Sequence, residues 1–105
     1  MKTTREHVLS EIKKTLHRVA PEAKAVLFGS RARSDAREDS DWDILVLVDK
    51  DKIRNDDFDT IAYPLFELGW NIGEMIHPIL YTFSDWEKRS FTIFHKTVEE
   101  EGIAL

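Results

Sequence analysis

Two carboxylates stand directly ahead of a nearly unbroken apolar run, and this arrangement constrains the fold more than any other part of the sequence. Asp41 and Asp43 flank Trp42, and residues 44–48 read Ile-Leu-Val-Leu-Val. Such a run is typical of a central strand covered on both faces. Because successive strand residues point to opposite faces, Asp41 and Asp43 point one way and Trp42 the other. The sequence therefore predicts a buried strand over residues 42–48 with a carboxylate pair at its N-terminal end.

The carboxylate pair indicates a bound cation. Two neighbouring carboxylates repel each other unless a positive charge lies between them. Mg²⁺ favours carboxylate and phosphate oxygens together, so Asp41 and Asp43 are candidate metal ligands. The simpler alternative is a polar turn ahead of a strand, since Asp-Ser-Asp also makes good turn chemistry. A second motif upstream decides in favour of the metal.

That second motif is Gly29-Ser30, which follows the short apolar stretch 25–28. A glycine lets a phosphate approach the backbone without a side chain in the way. The hydroxyl and amide of Ser30 can donate to phosphate oxygens, and the next residues can open a helix whose free N–H groups favour anions. Ser30 can equally be a simple helix N-cap, and both roles can hold together. Arg31 and Arg33 can reach triphosphate oxygens, or Arg33 can pair with an acidic neighbour such as Asp39.

The combined pattern resembles the signature of the nucleotidyltransferase superfamily that includes DNA polymerase beta, and most closely its minimal nucleotidyltransferases. The matching residues, in order, are Gly29, Ser30, Arg31, Ala32, Arg33, Ser40, Asp41 and Asp43. Ser34 stands where members often have glycine. The resemblance implies an α/β (α+β) fold, with helices packed mainly on one face of a small mixed β-sheet.

The resemblance also implies a reaction, the transfer of a nucleoside monophosphate from a triphosphate, with AMP from ATP as the first choice. Its Mg²⁺, in a two-metal site, would be held by Asp41 and Asp43. The nucleotide would be bound by Gly29, Ser30, Arg31, Arg33 and Ser40. Catalytic roles would fall on Asp41, Asp43, Glu74 and His77.

The third carboxylate of active members is missing from its expected place. It belongs on a later strand, predicted here over residues 75–82, at a position near His77. Glu74 lies just ahead and is the nearby acidic substitute. His77 can act as a general base in its place, or can be an ordinary strand histidine making one hydrogen bond.

Two functions from different classes follow. In the first, the chain is an enzyme; minimal nucleotidyltransferases are often paired with a helical HEPN-domain toxin, which some silence by attaching AMP to a tyrosine. In the second, the chain has lost turnover and acts as a binding module that masks its partner. Transfer to a small molecule ranks lowest, because such enzymes generally add a second domain for the acceptor.

Length and composition narrow the class of protein and the functions it can have. A length of 105 residues indicates one nucleotidyltransferase domain over residues 1–105. The net charge of −5 argues against binding of nucleic acid through an extended basic surface. The chain has no cysteine, hence no disulfide framework or thiolate metal site. We see no export signal or membrane-length apolar run, and expect a cytoplasmic protein without membrane contact.

The remaining elements are predicted from apolar spacing and from proline. An apolar stripe at helical intervals, which Pro21 ends, predicts a first helix; its members are Leu9, Ile12, Leu16 and Val19. A later helix runs to residue 68, with a kink or late start at Pro64. Pro78 places the strand 75–82 at a sheet edge or bulge. A final helix covers residues 91–100.

Overall fold

The computed structural model describes residues 4–105, which begin with the predicted apolar helix. Helix α1 spans Arg5–Val19, and the side chain of Thr4 caps it by accepting from the His7 N–H. Its buried stripe is formed by Val8, Ile12, Thr15 and Leu16. The helix ends just before Pro21, as predicted.

The sheet is mixed and has four strands in the order β3-β2-β1-β4. Strand β1 is Lys24–Phe28, β2 is Trp42–Val48, β3 is Ile76–Thr82 and β4 is Ile103–Ala104. β2 pairs antiparallel with β1 and parallel with β3, whereas β4 pairs antiparallel with β1. The predicted bounds of β2 are confirmed, and β3 lies at the sheet edge, where Pro78 is tolerated. β4 was not predicted, because two exposed residues carry no periodic signal.

Both faces of β2 are covered. The larger core lies between one face of the sheet and the helices α1 and α4, the latter spanning Tyr63–Ile72. A smaller core on the opposite face joins Leu45 and Leu47 to Trp86 and Val98. These last two residues belong to helix α5, Phe83–Lys88, and helix α6, Ile93–Glu101. The mixed sheet with a main helical layer agrees with the fold that the sequence predicts.

The proline in the middle helix is accommodated by a change of helix type. A short helix α3, Asn55–Asp57, continues into a π-helical turn, Phe58–Ala62, directly ahead of α4. Pro64 lies in the first turn of α4, where its missing N–H costs little. The wider turn thus replaces the sharp kink that an interior proline would otherwise impose. Within residues 4–105, none of the helices combines the length and apolar character that crossing a membrane requires.

Candidate active site

Three side chains converge at the N-terminal end of β2. The parallel register places His77 beside Asp43, and its Nδ1 lies 3.3 Å from Asp43 Oδ1. Asp41 completes the group, and one ligand atom from each of the three residues lies within 4.8 Å of the others. Asp41 and His77 are exposed, whereas Asp43 is half-buried. The structure thus unites the predicted carboxylate pair with the histidine at the third position.

The electrostatics of this group favour a bound cation. Burial raises the pKa of Asp43 above its ordinary value, and the neighbouring charge of Asp41 acts in the same direction. The hydrogen bond and charge of His77, and the charge of Arg33, pull the pKa of Asp43 back down. A half-buried carboxylate beside a second carboxylate gains most when positive charge is supplied between them. The donors present, two carboxylates and an imidazole, suit a divalent ion.

Gly29 packs closely against the Asp43 carboxylate. Its φ is +76°, in the left-handed region, and a Cβ built there would lie 2.4 Å from Asp43 Oδ2. Phe28, the residue before it, pairs directly with Asp43 across the antiparallel strands. Gly29 is also the N-cap of helix α2, Ser30–Arg33, so the idea that Ser30 caps this helix is wrong. The turn brings the backbone of residues 29–30 against the group with no side chain between.

Ser34 occupies the C-cap of α2 with φ 67° and ψ 21°, a left-handed conformation. Glycine adopts this conformation without steric cost, whereas other residues rarely do. The resemblance predicts glycine at this position, and the observed backbone conformation favours it. This chain retains the turn with serine.

Arg31, Ser40 and Glu74 form a separate cluster around Trp42, on the strand face opposite the carboxylates. The guanidinium carbon of Arg31 lies 4.4 Å from the centroid of the Trp42 ring. Trp42 Nε1 donates to Glu74 Oε2 at 3.2 Å, and Arg31 Nη2 lies 3.9 Å from the same oxygen. Asp41, Asp43 and His77 form the metal-type group found among residues 4–105. Of the two candidates for the third position, His77 therefore belongs to this group and Glu74 does not. The hydrogen bond between Glu74 and Trp42 could not be predicted from any local pattern, because it joins distant segments.

Ser40 and Arg33 have contacts that sequence reasoning did not assign. The Oγ of Ser40 accepts from the Arg37 N–H at 2.8 Å, which closes the turn ahead of Asp41. Arg33 is exposed and donates to Asp35 at 3.2 Å and to Glu101 at 3.3 Å. These two carboxylates, rather than Asp39, are its acidic neighbours, and they raise the pKa of Arg33.

Comparison with known proteins adds independent findings. A family model described as a nucleotidyltransferase domain matches residues 9–103. A curated relative from Methanocaldococcus jannaschii, provisionally named a protein adenylyltransferase, is 37% identical over 82 residues, covering 78% of this chain and 76% of the relative. A crystal structure of a toxin–antitoxin with AMP-PNP has a TM-score of 0.64 at 22% identity, covering 90% of this chain and 69% of that one. A structure provisionally described as a minimal nucleotidyltransferase has a TM-score of 0.63 at 24% identity, covering 95% and 94%.

Proposed function

Because this chain belongs to the nucleotidyltransferase domain family, we propose that it transfers AMP from ATP to a hydroxyl group of a partner protein. One observation carries the proposal: Asp41, Asp43 and His77 converge, and Gly29 lies directly against Asp43 of this group. In the transfer, the acceptor oxygen bonds to the α-phosphorus, the bond from that phosphorus to the bridging oxygen breaks, and pyrophosphate leaves. The hydroxyl proton passes to a base.

Asp41 and Asp43 would hold the divalent ion, Mg²⁺ by preference, because carboxylate oxygens are the ligands it favours. When bound, such an ion neutralises the triphosphate and polarises the reacting phosphorus. Gly29 leaves room for phosphate oxygens, and the Ser30 hydroxyl can donate to them. Arg33 is the exposed arginine whose charge reaches Asp43, so it supplies positive charge on the side where the triphosphate would lie.

His77 takes the place of the missing third carboxylate. With Nδ1 directed at Asp43 Oδ1, a proton on Nδ1 would leave Nε2 with the free lone pair of a neutral imidazole. Asp43 thereby orients the ring, and Nε2 can accept the proton of the acceptor hydroxyl. More than half of the His77 side chain is exposed, which leaves room for a protein acceptor to approach.

The acceptor we propose is a tyrosine of a HEPN-type toxin, which makes this chain an antitoxin. A relative provisionally named a protein adenylyltransferase supports a protein acceptor. A toxin–antitoxin with AMP-PNP shares the fold, and minimal nucleotidyltransferases, which the sequence resembles, are often paired with HEPN proteins.

The test is a labelling assay. The chain and the product of its neighbouring gene are incubated with Mg²⁺ and ATP labelled at the α-phosphate, beside the variant Asp41→Asn/Asp43→Asn. We expect label on the partner with the native chain and none with the variant. Asp39→Asn/Asp51→Asn, an equal change of charge at two exposed carboxylates outside the site, controls for general electrostatics. Full labelling by the Asp41→Asn/Asp43→Asn variant would refute the proposal.

A second candidate function rests on His77 itself. Since the third carboxylate is replaced, the chain can act as a binding module that masks the partner without turnover. In that case the variant Asp41→Asn/Asp43→Asn should bind and inhibit the partner as well as the native chain does. Loss of inhibition in that variant would exclude the masking function.

A further inference from the structure

We propose that Arg31 is a positioning residue, which holds the backbone that carries Asp41 and Asp43, and is not a ligand of the triphosphate. The inference rests on the proposed function, because it concerns how the same site is built. It departs from the sequence-based expectation that Arg31 reaches phosphate oxygens. Three sets of contacts support it.

The first set fixes the turn ahead of Asp41. Arg31 Nε and Nη2 donate to the Ser40 carbonyl at 3.3 and 3.1 Å, and Nη2 also donates to the Glu38 carbonyl at 3.1 Å. The Ser40 carbonyl belongs to the peptide group that joins Ser40 to Asp41. Because guanidinium donors lie in one rigid plane, these bonds restrict both the position and the tilt of that peptide group.

The second set fixes the residue between the two carboxylates. The guanidinium stacks on Trp42, with 4.4 Å between Cζ and the ring centroid, and the Trp42 side chain is only 1% exposed. Neighbouring residues of a strand share a rigid backbone, so a fixed Trp42 fixes the directions of Asp41 and Asp43 on the other face.

The third set accounts for the remaining charge of Arg31. Its Nη2 lies 3.9 Å from Glu74 Oε2, and the same oxygen accepts from Trp42 Nε1 at 3.2 Å. Only 15% of the Arg31 side chain is exposed. The guanidinium thus faces backbone carbonyls, an indole ring and a carboxylate on the face of β2 opposite the metal-type group. Arg33, the next arginine along the chain, is an exposed cation whose charge reaches Asp43.

Two binding measurements separate positioning from phosphate binding without any transfer reaction. Mn²⁺ binding is followed by electron paramagnetic resonance without nucleotide, and ATP binding is followed by calorimetry in EDTA. The variants are Arg31→Lys and Arg31→Gln, with Arg18→Lys and Arg18→Gln on the exposed face of α1 as matched controls. Folding is checked by circular dichroism.

We expect both Arg31 variants to bind Mn²⁺ about tenfold more weakly, as outer residues of metal sites typically do when replaced, with ATP binding in EDTA unchanged. The Arg18 variants should match the native chain in both assays. Native Mn²⁺ affinity in a folded Arg31 variant, or a loss of ATP binding in EDTA, would overturn the positioning role alone. Mn²⁺ binding that survives in the Asp41→Asn/Asp43→Asn variant would overturn the proposed function as well.

Glu74→Gln provides a second route if neither Arg31 variant folds. It removes the charge that faces Arg31 but keeps an oxygen to accept from Trp42 Nε1. Weaker Mn²⁺ binding with unchanged ATP binding would support the positioning role. Unchanged Mn²⁺ binding in Glu74→Gln would overturn it.

Discussion

His77 lies beside Asp43 across the parallel β2–β3 pair, with 3.3 Å between Nδ1 and Oδ1. The register fixes this relationship, because each residue of β2 has one partner in β3 and the partner of Asp43 is His77. The sequence resemblance predicts a third carboxylate on that later strand. An imidazole can accept a proton as a carboxylate does, so under the proposed function His77 would supply the base with one negative charge fewer in the site.

Removing the imidazole should therefore slow transfer. In the labelling assay we expect His77→Ala to lower the rate about 100-fold, within the range typical of general bases. His77→Asp should recover part of the loss, because it restores a carboxylate at the third position. His17→Ala, at an exposed position of α1, should leave the rate unchanged. A native rate in His77→Ala would show that His77 is an ordinary strand histidine.

Gly29→Ala should abolish transfer, and Gly73→Ala provides a control at a second glycine of positive φ. With φ +74° and ψ 32°, Gly73 is left-handed helical, where a Cβ costs about 1–2 kcal/mol. With φ +76° and ψ −160°, Gly29 lies in a region that is essentially restricted to glycine, so a Cβ strains its backbone more. Only at Gly29 does the added Cβ meet Asp43 Oδ2, at 2.4 Å, whereas nothing lies within 4 Å at Gly73. We expect a larger loss in the free energy of unfolding, measured in urea, for Gly29→Ala than for Gly73→Ala, and loss of labelling and Mn²⁺ binding only in Gly29→Ala. Equal labelling by both variants would contradict the close fit.

Ser34→Gly should stabilise the chain. Ser34 is exposed and holds φ 67°, a conformation that costs a residue with a Cβ about 1 kcal/mol or more. The greater freedom of glycine in the unfolded chain offsets part of this gain, so we expect an increase of up to about 1 kcal/mol in urea unfolding. Ser34→Ala keeps the Cβ and should give no increase. A Ser34→Gly variant no more stable than Ser34→Ala would mean that this turn is not strained.

The strongest local signals of the sequence were reliable guides to structure. β2 matches its predicted bounds because an apolar run covered on both faces leaves no competing assignment. The carboxylate pair and the Gly29 turn could be placed because strand alternation and glycine geometry act within a few residues. The resemblance pointed to a position near His77 for the third group of the site, and the β2–β3 register places His77 beside Asp43.

Contacts between distant segments could not be predicted in the same way. The residues Arg31 and Trp42 lie eleven positions apart, and their stacking depends on how α2 packs beside β2. Glu74 reaches Trp42 from the loop ahead of β3, so its hydrogen bond with the indole depends on the folded sheet. β4 contains two exposed residues that owe their strand form to pairing with β1. Each of these features is decided by tertiary packing, which leaves no periodic trace in the sequence.

Asp57 should make stability depend on acid pH. Its Oδ1 accepts from Lys50 Nζ at 2.7 Å and its Oδ2 accepts from the Arg54 N–H at 2.8 Å, in a side chain only 6% exposed. The Lys50 hydrogen bond, and next the Arg54 N–H, lower the pKa of Asp57 below its ordinary value. The unfolded chain therefore binds this proton more readily than the native chain. The stabilisation is complete above the unfolded pKa, about 3.9, and is lost as the pH falls through the lower native value.

Asp57→Asn should then be less stable than the native chain at pH 7 by about 1–3 kcal/mol, the typical worth of hydrogen bonds to a charged group. The difference in urea unfolding free energy should shrink as the pH falls below about 4, where the unfolded native chain takes up the proton. Asp56→Asn, at the exposed neighbouring position of α3, should show no such convergence. A difference between Asp57→Asn and the native chain that stays constant down to pH 2 would mean that Asp57 contributes through its shape and not through its charge.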